Sequence, residues 1–442
     1  MTTPADLIET PGHAPRRLPR VLTGGRARGP VSLGEHLERY GHPQVPGRRR
    51  GDRGAFVDVI ERSGLRGRGG AGFPTATKLR AVANGHRRPA VVANGAEGEP
   101  LSAKDKVLCA TAPHLVLDGA VLAAEAVGAR EAVVVVDRSA HDARVAVENA
   151  IEERRAARLD RVSLRTVDCP TRFLAGEESA LVHWLNGGPA KPTFVPPRPF
   201  QRGVGGRPTL VQNVETLAHM ALIARYGDEW FRTIGSTSEP GSALVTVRGA
   251  VVHPGVLEIG LGTPMATVIE AAGGVTADIS AFLVGGYFGS WLAASDGWNL
   301  ALSAEGARAA GAGFGSGVVV ALPATSCGLL ETATVIRYLA EETAGQCGPC
   351  VHGLNAIADA VASVAQGHAV RGTVEQLRGW IGDVPGRGAC HYPDGAVRFV
   401  ASALDVFTDE IDRHVRHRRC PLPRSRRVLP VPHPASREWG WR

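Results

Sequence analysis

Lysine is almost missing from this basic chain: of 50 Lys and Arg residues, only Lys78, Lys104, Lys106 and Lys191 are lysine. Aromatic residues are also scarce, at 5%, and the basic stretches contain none interleaved in the way a nucleic-acid stacking surface requires. Nucleic acid is therefore excluded as a partner. No apolar run reaches the length of a membrane span, so a spanning helix is excluded as well. The first twenty residues lack the apolar stretch of a secretory signal, which points to a cytoplasmic protein. Seven cysteines in 442 residues are too few for a disulfide scaffold; where they cluster, they point to metal or redox chemistry. The net charge of +7 gathers at the two ends, which are rich in Arg, Pro and Gly and read as basic flexible arms.

What the chain does contain is a glycine loop, Gly67-Arg68-Gly69-Gly70-Ala71-Gly72-Phe73. Such a loop lets backbone N–H groups approach a phosphate closely. A helix predicted over Thr75 to Ala83 would point its positive end at the same place. About twenty residues on, Asn94-Gly-Ala-Glu97-Gly-Glu99-Pro100 supplies carboxylates suited to ribose hydroxyls. The segment before the loop, Ala55 to Arg62, reads as helix, so this is not the usual strand–loop–helix dinucleotide fingerprint. It is a nucleotide or flavin loop of another design, or a flexible loop. Three of the four lysines lie around it, and lysine offers a compact charge where arginine offers a broad fork.

Alternating strand and helix patterns over residues 55–238 predict an α/β domain with a parallel sheet. Its strands are expected at Ala90–Ala93, Ala132–Asp137 and Val162–Asp168, with helices at Leu115–Val127 and Ala140–Arg155. Ligands of such sheets sit at strand C-terminal ends, where Asn94, Glu97 and Glu99 fall. Over 239–326 a hairpin, a helix capped by Thr263 with Pro264 in its first turn, and a strand at Ala281–Gly285 predict a small module. Apolar stripes over 327–415, with a Thr373/Gln376 capping box, predict a four-helix-like bundle. Residues 1–54 and 416–442 form the arm and tail.

Cys347-Gly-Pro-Cys350 opens one bundle helix, and Cys390 precedes another. Thiolates at helix starts suit an iron–sulfur cluster. A thioredoxin-type dithiol and plain buried thiols are the alternatives, although a helix rather than a strand precedes the motif.

In their order along residues 55–412, these motifs resemble the family of NADH-binding flavoproteins found in respiratory complex I and in the related NAD-linked hydrogenases and formate dehydrogenases. Gly67 to Thr75 is similar to the family's glycine loop, Asn94 to Pro100 to its N-A-D-E-G-E-P, and Ala175-Gly-Glu-Glu-Ser179 to its G-E-E-T/S. Thr209 to Leu217 is similar to T-x-V-N-N-V-E-T-L, and Glu342 to Cys350 to E-S-C-G-x-C-x-P-C. The resemblance implies a Rossmann-like FMN-binding domain, a soluble-ligand-binding β-grasp domain and a C-terminal helical iron–sulfur domain. It implies FMN held by Gly67, Arg68, Gly69, Gly70, Gly72, Lys78, Asn94, Gly176, Glu177, Gln212, Asn213 and Thr216. NADH would lie against the flavin beside Phe73, Glu97, Glu99 and Glu178, with Glu97 and Glu178 in support. Cys347, Cys350 and Cys390 would hold a 4Fe-4S or 3Fe-4S cluster. Hydride transfer belongs to the flavin, and electrons would pass to a ferredoxin-like or thioredoxin-like iron–sulfur protein. The implied place is cytoplasmic, with a peripheral position on a membrane redox complex as a variant.

The chain departs from the family at specific positions. Ala344 replaces the first cluster cysteine, leaving His352, His391, Cys327 or Cys420 as sources of a fourth ligand. Ala96 replaces the Asp of N-A-D-E-G-E-P, and Ala81 an aromatic. A gapless alignment puts Val195 and Arg198 on the Lys and Phe of K-P-P-F-P. The leading expectation is an FMN-dependent NADH dehydrogenase module. The alternative is a relay or assembly protein that no longer uses NADH.

Overall fold

The computed structural model describes residues 20–22, 29–42, 53–420, 422, 427–432 and 440–441. The first domain is built from α1 (Leu33–Tyr40), α2 (Arg53–Ser63), α3 (Thr75–Ala83), β1 (Ala90–Gly95), α4 (Lys104–Thr111), α5 (Pro113–Val127), β2 (Glu131–Asp137), α6 (His141–Ala156), β3 (Ser163–Cys169), α7 (Glu178–Leu185), β4 (Thr209–Asn213) and α8 (Val214–Phe231). Its four strands are all parallel, in the order β3-β2-β1-β4. The chain runs outward from β1 to β2 and β3, then returns to place β4 on the other side of β1. The crevice of such a sheet lies where the order reverses, at the C-terminal ends of β1 and β4. There Asn94 and Asn213 are register partners.

β1 and β2 are buried nearly throughout, as strands covered by helices on both faces must be. Helices α5 and α8 pack so closely that a Cβ on Gly119 would sit 2.0 Å from the Leu217 carbonyl oxygen. Glycine is required there by the approach of two backbones, not by φ.

The second domain contains β5 (Ser242–Gly249), β6 (Gly255–Gly260), β7 (Thr263–Pro264), α9 (Met265–Ala271), β8 (Ile279–Val284), β9 (Ser290–Ala293), α10 (Ala294–Gly297), β10 (Ala301–Leu302), α11 (Ala304–Ala309) and β11 (Val318–Pro323). Its mixed sheet runs β6-β5-β11-β8-β9, larger than the hairpin, helix and strand expected. The helix begins one residue later than predicted. Pro264 is its cap, and the Thr263 hydroxyl donates to the Gly260 carbonyl at 2.7 Å.

The C-terminal domain has five α-helices instead of four, α12 (Gly328–Glu341), α13 (Leu354–Ala365), α14 (Thr373–Asp383), α15 (Tyr392–Val406) and α16 (Thr408–His417), with a π-helical turn, Pro349–Gly353, leading into α13. The Thr373/Gln376 capping box does not form. Gly372 is the cap, and the Thr373 hydroxyl turns back to the Val370 backbone.

Parts of both arms dock. In α1, buried His36 bonds Asp118 at 2.7 Å, and Asp118 also receives Arg154 at 2.8 Å and Arg225. Leu429 is fully buried, and Glu331 accepts the N–H groups of Val428 and Leu429. Residues 1–19, 23–28, 43–52, 421, 423–426, 433–439 and 442 lie outside the described residues. Among the described residues no single helix is long and apolar enough to cross a membrane. The pair α4 and α5 passes that test only together, bent by 97° and packed in the first domain's core.

Candidate functional site

The glycine loop is a closed finger. Gly67 N–H donates to the Phe73 carbonyl at 2.9 Å, and Thr75 N–H to Leu65 at 3.1 Å. Gly70 and Gly72 have φ of 107° and 61°, a region L side chains avoid, so the finger's shape depends on them. Thr216, in the first turn of α8, holds the finger by accepting the Arg68 N–H at 2.9 Å, and Gly69 lies against Asn213. Gln212 reaches Thr75 at 3.4 Å. The loop thus stands over the C-terminal ends of β1 and β4.

Donors converge here, some with internal partners and some without. No side chain caps α3, whose first N–H groups face the finger's base. The Nε and Nη2 of Arg68 are buried and make no hydrogen bond among the described residues. They are closed off from the cleft, and the charges that bear on this guanidinium are those of Glu215 and Glu239. Lys78 pairs with Glu178, both side chains partly exposed. Asn94 donates to the Gly176 carbonyl at 2.9 Å, and a Cβ on Gly176 would sit 2.7 Å from the Ala96 oxygen. Phosphate and polar-ring acceptors fit these groups, so the cradle fits FMN.

The acidic motif faces inward. Buried Glu97 accepts the Ser102 hydroxyl and the N–H groups of Asp105 and Lys106, which caps the start of α4. Glu99 accepts N–H groups of Leu101 and Tyr287. Burial pushes the Glu99 carboxyl up to about 7. Beneath lies a charged floor: Lys104 binds Asp105 at 2.7 Å and Glu215 at 2.9 Å, and Asp105 receives Asn213 at 2.7 Å. Burial raises Asp105 to about 7. Glu215 resists the same burial through Lys104 and His219 and falls to about 2. Glu177 caps α7 by accepting from Ser179 and Ala180.

Two rings stand at the rim. Phe73, at the finger's end, is 53% exposed. Phe194 is 82% exposed, one residue after Thr193, whose N–H bonds Ser179 in α7. Motif matching does not single out Phe194, because the gapless alignment puts Val195 and Arg198 on the family's motif. A signal is nonetheless present: an aromatic, one of two with Phe200, in a Pro-rich loop.

The three bundle thiols come together. Cys350 is buried and hydrogen-bonds Cys347, and Cys390 bears on both. Against the cost of burial, N–H groups of Ala389 and Cys350 hold the Cys347 thiol below its ordinary value. Three converging thiols fit three corners of an iron–sulfur cluster. The fourth position presents the buried methyl of Ala344, whose carbonyl accepts Lys191 at 2.9 Å. His391 and His352 are exposed, and His391 bonds Asp394. Cys327 caps the far end of α12, whose 14 residues span about 21 Å.

The flavin cradle and the thiols share one segment. Gly176 lies against Asn94, the charge of Glu177 bears on Cys390, and the Phe173 ring meets Tyr392 edge-on at 5.7 Å.

Three family models match the chain: the Nuo51 FMN-binding domain over residues 60–222, the SLBB domain over 244–285, and the NADH-ubiquinone oxidoreductase-F iron-sulfur binding region over 331–414. The F 2 subunit of the NADH-quinone oxidoreductase of Rhizobium meliloti is 31% identical over 382 residues, covering 83% of this chain and 90% of the relative. The HndC subunit of the NADP-reducing hydrogenase of Solidesulfovibrio fructosivorans is 29% identical, covering 83% and 77%. The crystal structure of an NAD+-reducing [NiFe]-hydrogenase in its H2-reduced state superposes with a TM-score of 0.76 at 30% identity. That match covers 85% of this chain, which spans 63% of the hydrogenase chain. With an FMN-binding domain, an SLBB domain and an iron–sulfur region in the same order as the motifs, the chain belongs to the family of NADH-quinone oxidoreductase F subunits.

Proposed function

We propose that this chain is an FMN-dependent NADH dehydrogenase module that passes electrons through an iron–sulfur cluster to a partner protein. The observation that carries this reading is the shared Phe173–Ser179 segment, which forms one wall of the cradle and also touches the thiol site. FMN bound in the cradle supplies hydride acceptance and the division of a pair into single electrons.

The protein's part is positioning. The finger's backbone and the start of α3 hold anionic and polar acceptors. Lys78 is the small cation at the rim, and Glu178 orients it. Phe73 and Phe194 offer faces for the flat rings of NADH. Glu97, committed to α4, acts by fixing the backbone of its motif, and Glu99 by fixing that motif to the second domain. Cys347, Cys350 and Cys390 hold the cluster by three thiolates. The receiving partner is an iron–sulfur protein of ferredoxin or thioredoxin-like type, within a cytoplasmic or membrane-peripheral assembly.

A second reading, a relay protein that does not use NADH, is favoured by Ala81, Ala96 and Arg198 where the family has contact residues. FMN titration of the apoprotein tests the cradle. Wild type takes up one FMN per chain, and Lys78→Met weakens uptake by about tenfold or more, the value of a charge-assisted hydrogen bond. Equal affinity in both would remove Lys78 from the site.

A further inference from the structure

The N-terminal end of α12 carries a second group of soft donors. Cys327 caps the helix, its sulfur accepting the Leu330 N–H at 3.4 Å. His414, buried in α16, places Nε2 3.4 Å from that sulfur. Glu410, one turn earlier in α16, places Oε2 3.3 Å from it and also accepts the Leu329 N–H. After α16 the chain reverses at Arg418, whose φ of 52° is left-handed. The turn packs on Gly367 so closely that a Cβ there would meet the Arg418 backbone at 2.2 Å. This reversal brings Cys420 back, so that the ligand atoms of Cys327, His414 and Cys420 lie within 4.8 Å of one another.

We propose that Cys327, Glu410, His414 and Cys420 form a zinc site, separate from the iron–sulfur thiols at the other end of α12. Zinc bonds of about 2.3 Å to sulfur and 2.0–2.1 Å to nitrogen or oxygen give tetrahedral edges of about 3.4–3.8 Å. The two edges measured from Cys327 are already close to that size; Cys420 must move inward, and Glu410, which lies outside the mutually close group of three, must move with it. Two thiolates, an imidazole and a carboxylate select a borderline-soft divalent ion and fill four positions, as in a closed structural site. Burial and the Glu410 charge push the Cys327 thiol up, and the Leu330 N–H at the start of α12 works the other way. The His414 Nδ1 makes no hydrogen bond of good geometry, but the Ala365 backbone bears on the ring and leaves Nε2 facing the sulfurs. Arg413 sits beside the group and offsets its negative charge.

The consequence is a staple. The ion would bind the turn after α16 to the start of α12, beside the Glu331 carboxylate that holds Val428 and Leu429. Cys420 is only half-buried, which leaves the ion a way in.

The test is metal content and Co(II) titration of the full chain, purified anaerobically. Wild type is expected to hold one zinc per chain besides its iron, and to give thiolate-to-cobalt charge-transfer bands when Co(II) replaces it. Cys420→Ser and His414→Gln should each lower zinc affinity at least tenfold while iron content stays unchanged. Cys350→Ser should do the reverse, losing iron and keeping zinc. Absence of zinc and of cobalt–thiolate bands in wild type would overturn the proposal, as would a Cys327–Cys420 disulfide in the anaerobic protein. Loss of iron in Cys420→Ser would overturn it too, by assigning that thiol to the cluster.

Discussion

The Glu99 carboxylate accepts the backbone N–H of Tyr287 at 2.8 Å, which joins the acidic motif after β1 to the second domain's sheet. The approach is close: a Cβ on Gly286 would sit 2.5 Å from the Glu99 Oε2. Three more bonds join the same two domains, from Ala103 to Thr246, Leu244 to Glu215 and Arg248 to Leu101. The second domain therefore braces the ligand-facing edge of the first, which accounts for its presence without catalytic groups of its own.

This contact is sensitive to pH. Burial raises the Glu99 carboxyl from its ordinary 4.5 to about 7. The folded protein thus holds a proton that the unfolded chain has lost between those values, and stability falls as pH rises through that window. In Glu99→Gln the fall is removed. Thermal melts should show the variant gaining on wild type by about 1–2 kcal/mol between about pH 5 and 8, after allowance for water reaching the carboxyl. A difference that does not change with pH would show that the site is not protonated on folding.

Phe194 is the ring that the family alignment obscures. If it stacks against NADH, Phe194→Ala removes about 1–2 kcal/mol of aromatic contact. Steady-state oxidation of NADH should show KM raised by about tenfold with kcat within twofold. An unchanged KM would place the nucleotide elsewhere, and Phe73→Ala would then be the variant that raises it.

The thiol site makes two linked predictions. Cys350→Ser should lose the cluster's visible and paramagnetic signals while flavin remains bound, because the cradle and the thiols draw on different side chains. Ala344→Cys supplies the missing fourth thiol in a buried position and should slow the loss of iron in air. Iron that is lost equally fast in the variant would mean that residue 344 does not face the cluster.

Local signals place much of the fold. The helix predicted over Thr75 to Ala83 has those bounds in the structure, and three of the four parallel strands are located by sequence, two of them by Val-rich runs. The fourth, Thr209–Asn213, is visible in sequence only as a motif, since five residues with three polar side chains carry no periodicity. The Thr373 cap fails because the hydroxyl finds a nearer backbone partner, a competition that spacing alone does not reveal. The cradle is legible because glycine spacing and local order build it. The commitment of Glu97 to α4, the exposure of Phe194 and the meeting of Cys327 with His414 are tertiary facts: the last two residues are 87 positions apart.

The central claim is that NADH delivers hydride to flavin in this cradle. It is tested most directly by recording the visible spectrum of the anaerobic protein before and after NADH is added. The account predicts that the oxidised flavin bands bleach within the mixing time of a manual assay. Flavin that stays oxidised with NADH yet bleaches with dithionite would contradict it, and would leave a redox centre that draws on another donor.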